Sequence, residues 1–163
     1  MQILVKNKDT LFYDEFKFKC CVGKKGISKK KREGDKKTPI GIYKLGPVYY
    51  RNDRLPKFNT KLKKIKIKKD MGWCNDIYSN LYNKLFVIKK NVRHEKLYRK
   101  SENYDIIIPI CYNTSNIKKN KGSAIFLHLT KNYKKTLGCI AIKKKDMLIL
   151  LKLINKKTKI KII

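Results

Sequence analysis

Cys139 and His128 are the two residues whose types and spacing suit chemistry best. Cys139 follows Gly138 and stands eleven positions after His128. The histidine interrupts an otherwise apolar run, Ser123-Ala124-Ile125-Phe126-Leu127-His128-Leu129. A free cysteine titrates at about 8.5 and is mostly thiol at neutral pH. A neighbouring imidazole can take that proton and create a nucleophile. Gly138 would let a substrate carbonyl approach closely, and the N–H groups around Gly138 and Cys139 would stabilise an oxyanion. The chemistry in view is acyl transfer through a thioester. The same residue types also describe a hydrogen-bonded core histidine and a buried structural cysteine, so the pair by itself leaves both readings open. His94, the other histidine, is open to use as a base, an orienting group or a structural residue.

Such a pair needs strands to hold it. Residues 105–111 and 123–129 are nearly continuous apolar runs and read as central strands buried on both faces. Pro109 counts against full pairing of the first. Residues 139–142 form a third short apolar run. Upstream, residues 1–5, 10–13 and 16–22 read as strands, with Phe16, Phe18 and Cys20 alternating with lysines. Residues 23–37 form a basic loop, and residues 38–45 read as a turn feeding a strand. Lysines alternate with Leu62, Ile65 and Ile67 over 61–68, the pattern of an exposed or edge strand. Residues 71–83, rich in Gly, Asn, Asp and aromatics, read as an irregular loop that carries function. Met147, Leu148, Leu150, Leu151 and Ile154 share one face of a helix over 145–155, and 158–163 is a closing strand. No repeat or linker divides the chain, so 1–163 is expected to be one mainly β domain.

The 163 residues carry a net charge of +31, yet only five of the 43 basic residues are arginines: Arg32, Arg51, Arg54, Arg93 and Arg99. Readers of phosphate and bases favour the bidentate fork of Arg, so specific nucleic-acid recognition is not expected. Spread lysines fit solvated faces, or attraction to an anionic polymer. No apolar run is long enough for a transmembrane helix. No leader is visible at Met1, which leaves a cytoplasmic location open. Five cysteines (Cys20, Cys21, Cys74, Cys111, Cys139) without a C-x-x-C spacing give little support for zinc. Cys20 and Cys21, adjacent in a strand, should face opposite sides.

Several segments, in order, resemble one family. His128 followed by Thr136, Gly138 and Cys139 resembles the signature of the L,D-transpeptidase (YkuD) catalytic domain, a strand histidine followed by Ser or Thr, any residue, Gly and Cys. The likeness extends to a single-domain branch. Gly34-Asp35-Lys36-Lys37-Thr38-Pro39-Ile40-Gly41 resembles its Gly-Asp-x-x-Thr-Pro-x-Gly segment. Gly72-Trp73-Cys74-Asn75-Asp76 with Tyr82-Asn83, then His94-Glu95, Leu97-Tyr98-Arg99, Tyr104-Asp105 and Tyr112-Asn113, fit in register. Leu137 and Ala141 stand where many members carry His, and Arg or Asn.

The resemblance implies mixed β-sheets packed as a sandwich or barrel-like domain, with one or two helices including the C-terminal amphipathic one. It implies acyl transfer on peptidoglycan stem peptides, with His128 as base, Cys139 as nucleophile and the Gly138 backbone at the oxyanion. Thr136, His94, Arg99, Asn113 and Trp73 are the expected substrate-binding residues, with Arg99 or a loop lysine taking over the part of the altered positions. Trp73, Tyr82, Tyr98 and Tyr112 suit core or loop anchors better than cleft lining. No metal or organic cofactor is called for. A monomer in the periplasm or cell envelope is expected. The alternatives are an L,D-carboxypeptidase with the same site and a non-catalytic basic module that binds polyanions or cell wall.

Overall fold

Alternating apolar residues near the start of the chain fold as a meander of β1 (Gln2–Lys6), β2 (Thr10–Tyr13) and β3 (Phe16–Cys21). The computed structural model describes residues 1–29 and 31–163. Lys30, part of the basic loop expected over 23–37, lies outside the described residues. Two short strands, β4 (Ile27–Ser28) and β5 (Thr38–Pro39), pair in parallel at either end of that loop. There follow β6 (Gly41–Lys44), β7 (Val48–Tyr50), β8 (Lys64–Lys66), β9 (Met71–Cys74), β10 (Leu85–Val87) and β11 (His94–Lys96). A 3₁₀ turn at Glu102–Tyr104 leads to β12 (Ile106–Pro109), β13 (Phe126–Leu129), β14 (Ile140–Ile142), helix α1 (Lys144–Leu153) and β15 (Lys159–Ile162).

The main sheet has ten strands in the order β6-β15-β1-β2-β3-β14-β13-β12-β7-β8. It is mixed: β1–β15, β13–β14 and β7–β8 are parallel and the other pairs antiparallel. The mainly β class with one helix near the C-terminus is as expected. The strands β12, β13 and β14 read as continuous apolar runs because both of their faces are packed. On one face Ile106, Ile108, Leu127, Leu129, Ile140 and Ile142 join Met147, Leu150 and Leu151 of α1. On the other, Ile107, Phe126 and Cys139 join Trp73, Leu97 and Tyr104. Each fully buried Ile or Leu here contributes about 1.5–3 kcal/mol relative to exposure.

Three expectations change. Residues 71–83 are not wholly irregular: β9 is the central strand of a separate three-stranded sheet, β10-β9-β11. Its pairing comes from the next two strands, β10 and β11, which lie outside the segment and which its own composition does not announce. Pro109 belongs to the central strand β12, but at its last position, where its carbonyl accepts from Gly46 N at 2.8 Å. The helix ends at Leu153 rather than 155, because Ile154 turns to extended backbone (φ −80°, ψ 158°).

Candidate active site

The parallel register of β13 and β14 sets the geometry. His128 stands beside Ala141, and Leu127 beside Ile140. One step earlier, Cys139 lies beside Phe126, whose N–H points at the Cys139 Sγ from 3.4 Å. Alternate residues of a strand share a face. Phe126, His128 and Cys139 are therefore on the same side of the sheet, the side of the second core. Cys139 and His128 both line one cleft of about 330 Å³, with Glu33, Glu95, Arg99 and Tyr104 among its other walls.

A dense turn presents Cys139. Thr136 Oγ1 donates to Cys139 O at 2.6 Å and accepts from Gly138 N at 3.1 Å. Gly138 has φ +141°, and a Cβ there would sit 3.0 Å from Lys37 O, so both the backbone conformation and the tight space disfavour a side chain. Thr38 Oγ1 accepts from Gly23 N (2.9 Å) and donates to Gly138 O (2.8 Å), with Thr38 wholly buried. The Gly34–Gly41 segment thus builds the platform under the Gly-Cys turn. In this structure the Gly138 N–H donates to the hydroxyl two residues earlier.

Burial dominates the electrostatics. It pushes the Cys139 thiol up to about 12, only partly opposed by the Phe126 N–H. The thiol proton rests on Ala124 O at 3.3 Å. Burial also pulls His128 down to about 4, against the carbonyls of Leu129 and Asn103. His128 Nδ1 lies 2.9 Å from Leu129 O. A carbonyl only accepts, so in the neutral ring Nδ1 carries the proton and Nε2 the lone pair. The resting pair is a neutral thiol and a neutral imidazole.

A second layer backs the imidazole. The Tyr104 ring packs at 5.1 Å and 60° to the His128 ring, and its hydroxyl donates to Glu95 Oε1 at 2.8 Å. Burial holds the Tyr104 phenol well above its ordinary range. Glu95 also pairs with Arg99, whose guanidinium lies 3.8 Å over the Tyr104 ring and donates from Nε to Lys96 O at 2.8 Å.

Of the residues singled out from the sequence, Cys139, His128, Gly138, Thr136 and Arg99 meet at this cleft. His94, Asn113 and Trp73 are not among its lining residues. His94 is next to Glu95 on β11, so alternation turns the two side chains to opposite faces. Its ring packs edge-on against Phe86 and its Nδ1 lies 2.6 Å from Val92 O. Asn113 braces its own loop, bonding Lys118 O and Gly122 O at 3.0 Å each and accepting from Lys118 N. Trp73 is an anchor below the site: it packs edge-on to Phe126 and donates to Asn83 Oδ1 at 2.9 Å. Tyr104, Ser123, Thr38 and Glu33 received no role from the sequence. Thr38, Glu33 and Tyr104 lie within or beside the quoted motif segments, which was the available signal.

All five cysteines are free thiols. Leu137 is exposed, whereas Ala141 is buried between His128 and Cys21 in the sheet. Among the described residues, no helix is long and apolar enough to cross a membrane. The family model for YkuD, the L,D-transpeptidase catalytic domain, matches residues 2–162. No curated protein matches the chain.

Proposed function

The chain belongs to the L,D-transpeptidase catalytic domain family (YkuD), and from this we propose that it transfers acyl groups of peptidoglycan stem peptides through a Cys139 thioester, with His128 as the base. The observation that carries the reading is the shared face of β13 and β14. It turns sulfur and imidazole into one cleft, while Leu129 O accepts from Nδ1–H and leaves the ring's lone pair on Nε2.

In this reading Nε2 removes the thiol proton as sulfur attacks the carbonyl that precedes a D-amino acid. The charge developing on oxygen is met by the Cys139 amide, which the Thr136 turn holds in place. The imidazolium then gives its proton to the departing amine. Arg99, fixed by Glu95, Lys96 O and the Tyr104 face, holds the carboxylate of the leaving residue. The thioester passes to an amine, making a cross-link. Such a substrate places the protein at the cell envelope.

A second reading, release of the acyl group to water, is favoured by one feature. His128 also borders a second cavity of about 370 Å³ with Asn103, Thr130, Lys131 and Asn132 in its walls. A polar space of that size admits water to the imidazole side. Product analysis with and without an acceptor amine separates cross-linking from trimming. The shared test is mass spectrometry with a stem peptide. Wild type should carry an acyl adduct on Cys139 and Cys139→Ala none; turnover by Cys139→Ala would end the assignment.

A further inference from the structure

Glu33 lines the same cleft as Cys139 and His128. Tyr82 donates its hydroxyl to Glu33 Oε2 at 2.5 Å, and Ser123 donates to the same oxygen at 2.8 Å. Tyr82 and Ser123 are themselves buried. Among the described residues no hydrogen bond falls on Oε1. The other nearby carboxylates are neutralised: Glu95 pairs with Arg99, and Asp35 with Lys31. Glu33 is instead held by neutral hydroxyls, which fix its position, and it makes no ion pair among the described residues. Ser123 precedes Ala124, whose carbonyl receives the Cys139 thiol, so Glu33 lies on the order of 10 Å from the sulfur. In a chain of net charge +31, the general field repels a cationic group, and a fixed local carboxylate is what admits one. A lone carboxylate flanked by hydroxyl donors is a poor cage for a divalent cation, which needs several oxygen ligands.

We propose that Glu33 is a specificity-determining residue that binds a primary ammonium of the donor peptide, opposite the carboxylate held by Arg99, so that the cleft reads a zwitterionic peptide. This rests on the acyl-transfer reading above for the identity of the donor. The amine bound to Glu33 is not the one that attacks. A carboxylate partner favours the protonated form, and a protonated amine is no nucleophile. Glu33 therefore serves recognition, and the attacking amine or water enters elsewhere.

The test uses a tetrapeptide ending L-Lys–D-Ala, with its side-chain amine free or acetylated, titrated calorimetrically into Cys139→Ala and into the Cys139→Ala, Glu33→Gln double variant. Glu33→Gln keeps an oxygen for Tyr82 and Ser123 while removing the charge. Acetylation should weaken binding to Cys139→Ala about 10- to 100-fold, while the double variant binds both peptides alike. An equal penalty in the two proteins, no penalty in Cys139→Ala, or no binding of either peptide overturns the proposal. Salt gives a check that needs no second variant: the preference of Cys139→Ala for the free amine should shrink as ionic strength rises, and a salt-independent preference counts against Glu33. Wild type incubated with the free-amine peptide separates this from the parent reading. Absence of a thioester there sinks acyl transfer, while the binding comparison still decides Glu33.

Discussion

Cys139 keeps its proton because the surroundings that shelter it oppose charge, and His128 stays unprotonated for the same reason. This gives the resting site an unreactive thiol. Alkylation of Cys139 by iodoacetamide at about pH 8 should run more than about 100-fold slower than that of a free cysteine. Rapid labelling, mapped to Cys139 by mass spectrometry, would mean that a thiolate already exists. His128 also ties folding to pH. Its folded value near 4 lies below the unfolded value of 6.5. Between those values the unfolded chain binds more protons, so stability falls as pH drops from 6.5 to 4 and is fully present above 6.5. The total from this one group is about 3 kcal/mol. Urea midpoints across that window should flatten in His128→Asn; an unchanged slope would assign the effect to other groups.

The Gly-Cys turn depends on a segment a hundred residues away. Thr38 joins Gly23 N to Gly138 O through one buried hydroxyl. Thr38→Val keeps the shape but strands both partners, at a cost of about 2–4 kcal/mol. Urea unfolding measures the loss, and thioester yield should fall with it; an unperturbed variant would mean the turn holds itself. Legibility follows the same division. The strands carrying His128 and Cys139 could be read because two-sided burial leaves a continuous apolar run. The turn between them could be placed, but not the capture of Gly138 N–H by Thr136, which depends on the conformation of the turn. Strand β9 was hidden because Met71-Gly72-Trp73-Cys74 gains its identity from β10 and β11. Neighbouring His94 and Glu95 differ in surroundings because a strand turns them to opposite faces, which adjacency in sequence does not announce.

Across the whole molecule, positive charge is the background against which the cleft works. Lys31, Arg32, Arg93, Arg99, Lys134 and Lys135 line it, against Glu33 and Glu95. An anionic polymeric wall substrate should be drawn in strongly at low salt. Its kcat/KM should fall several-fold between about 50 and 300 mM salt, with a much weaker trend for a short soluble peptide. A flat response for the polymer would show that the lysines are only a solvated coat. The single tryptophan of the chain adds one more consequence. Trp73 packs on Phe126, and the Phe126 N–H touches the sulfur of Cys139. Any group attached to that sulfur changes what Phe126 rests against, and the indole sits one ring away. The intrinsic fluorescence of the unlabelled protein is thus a built-in optical gauge of whether its thiol is loaded.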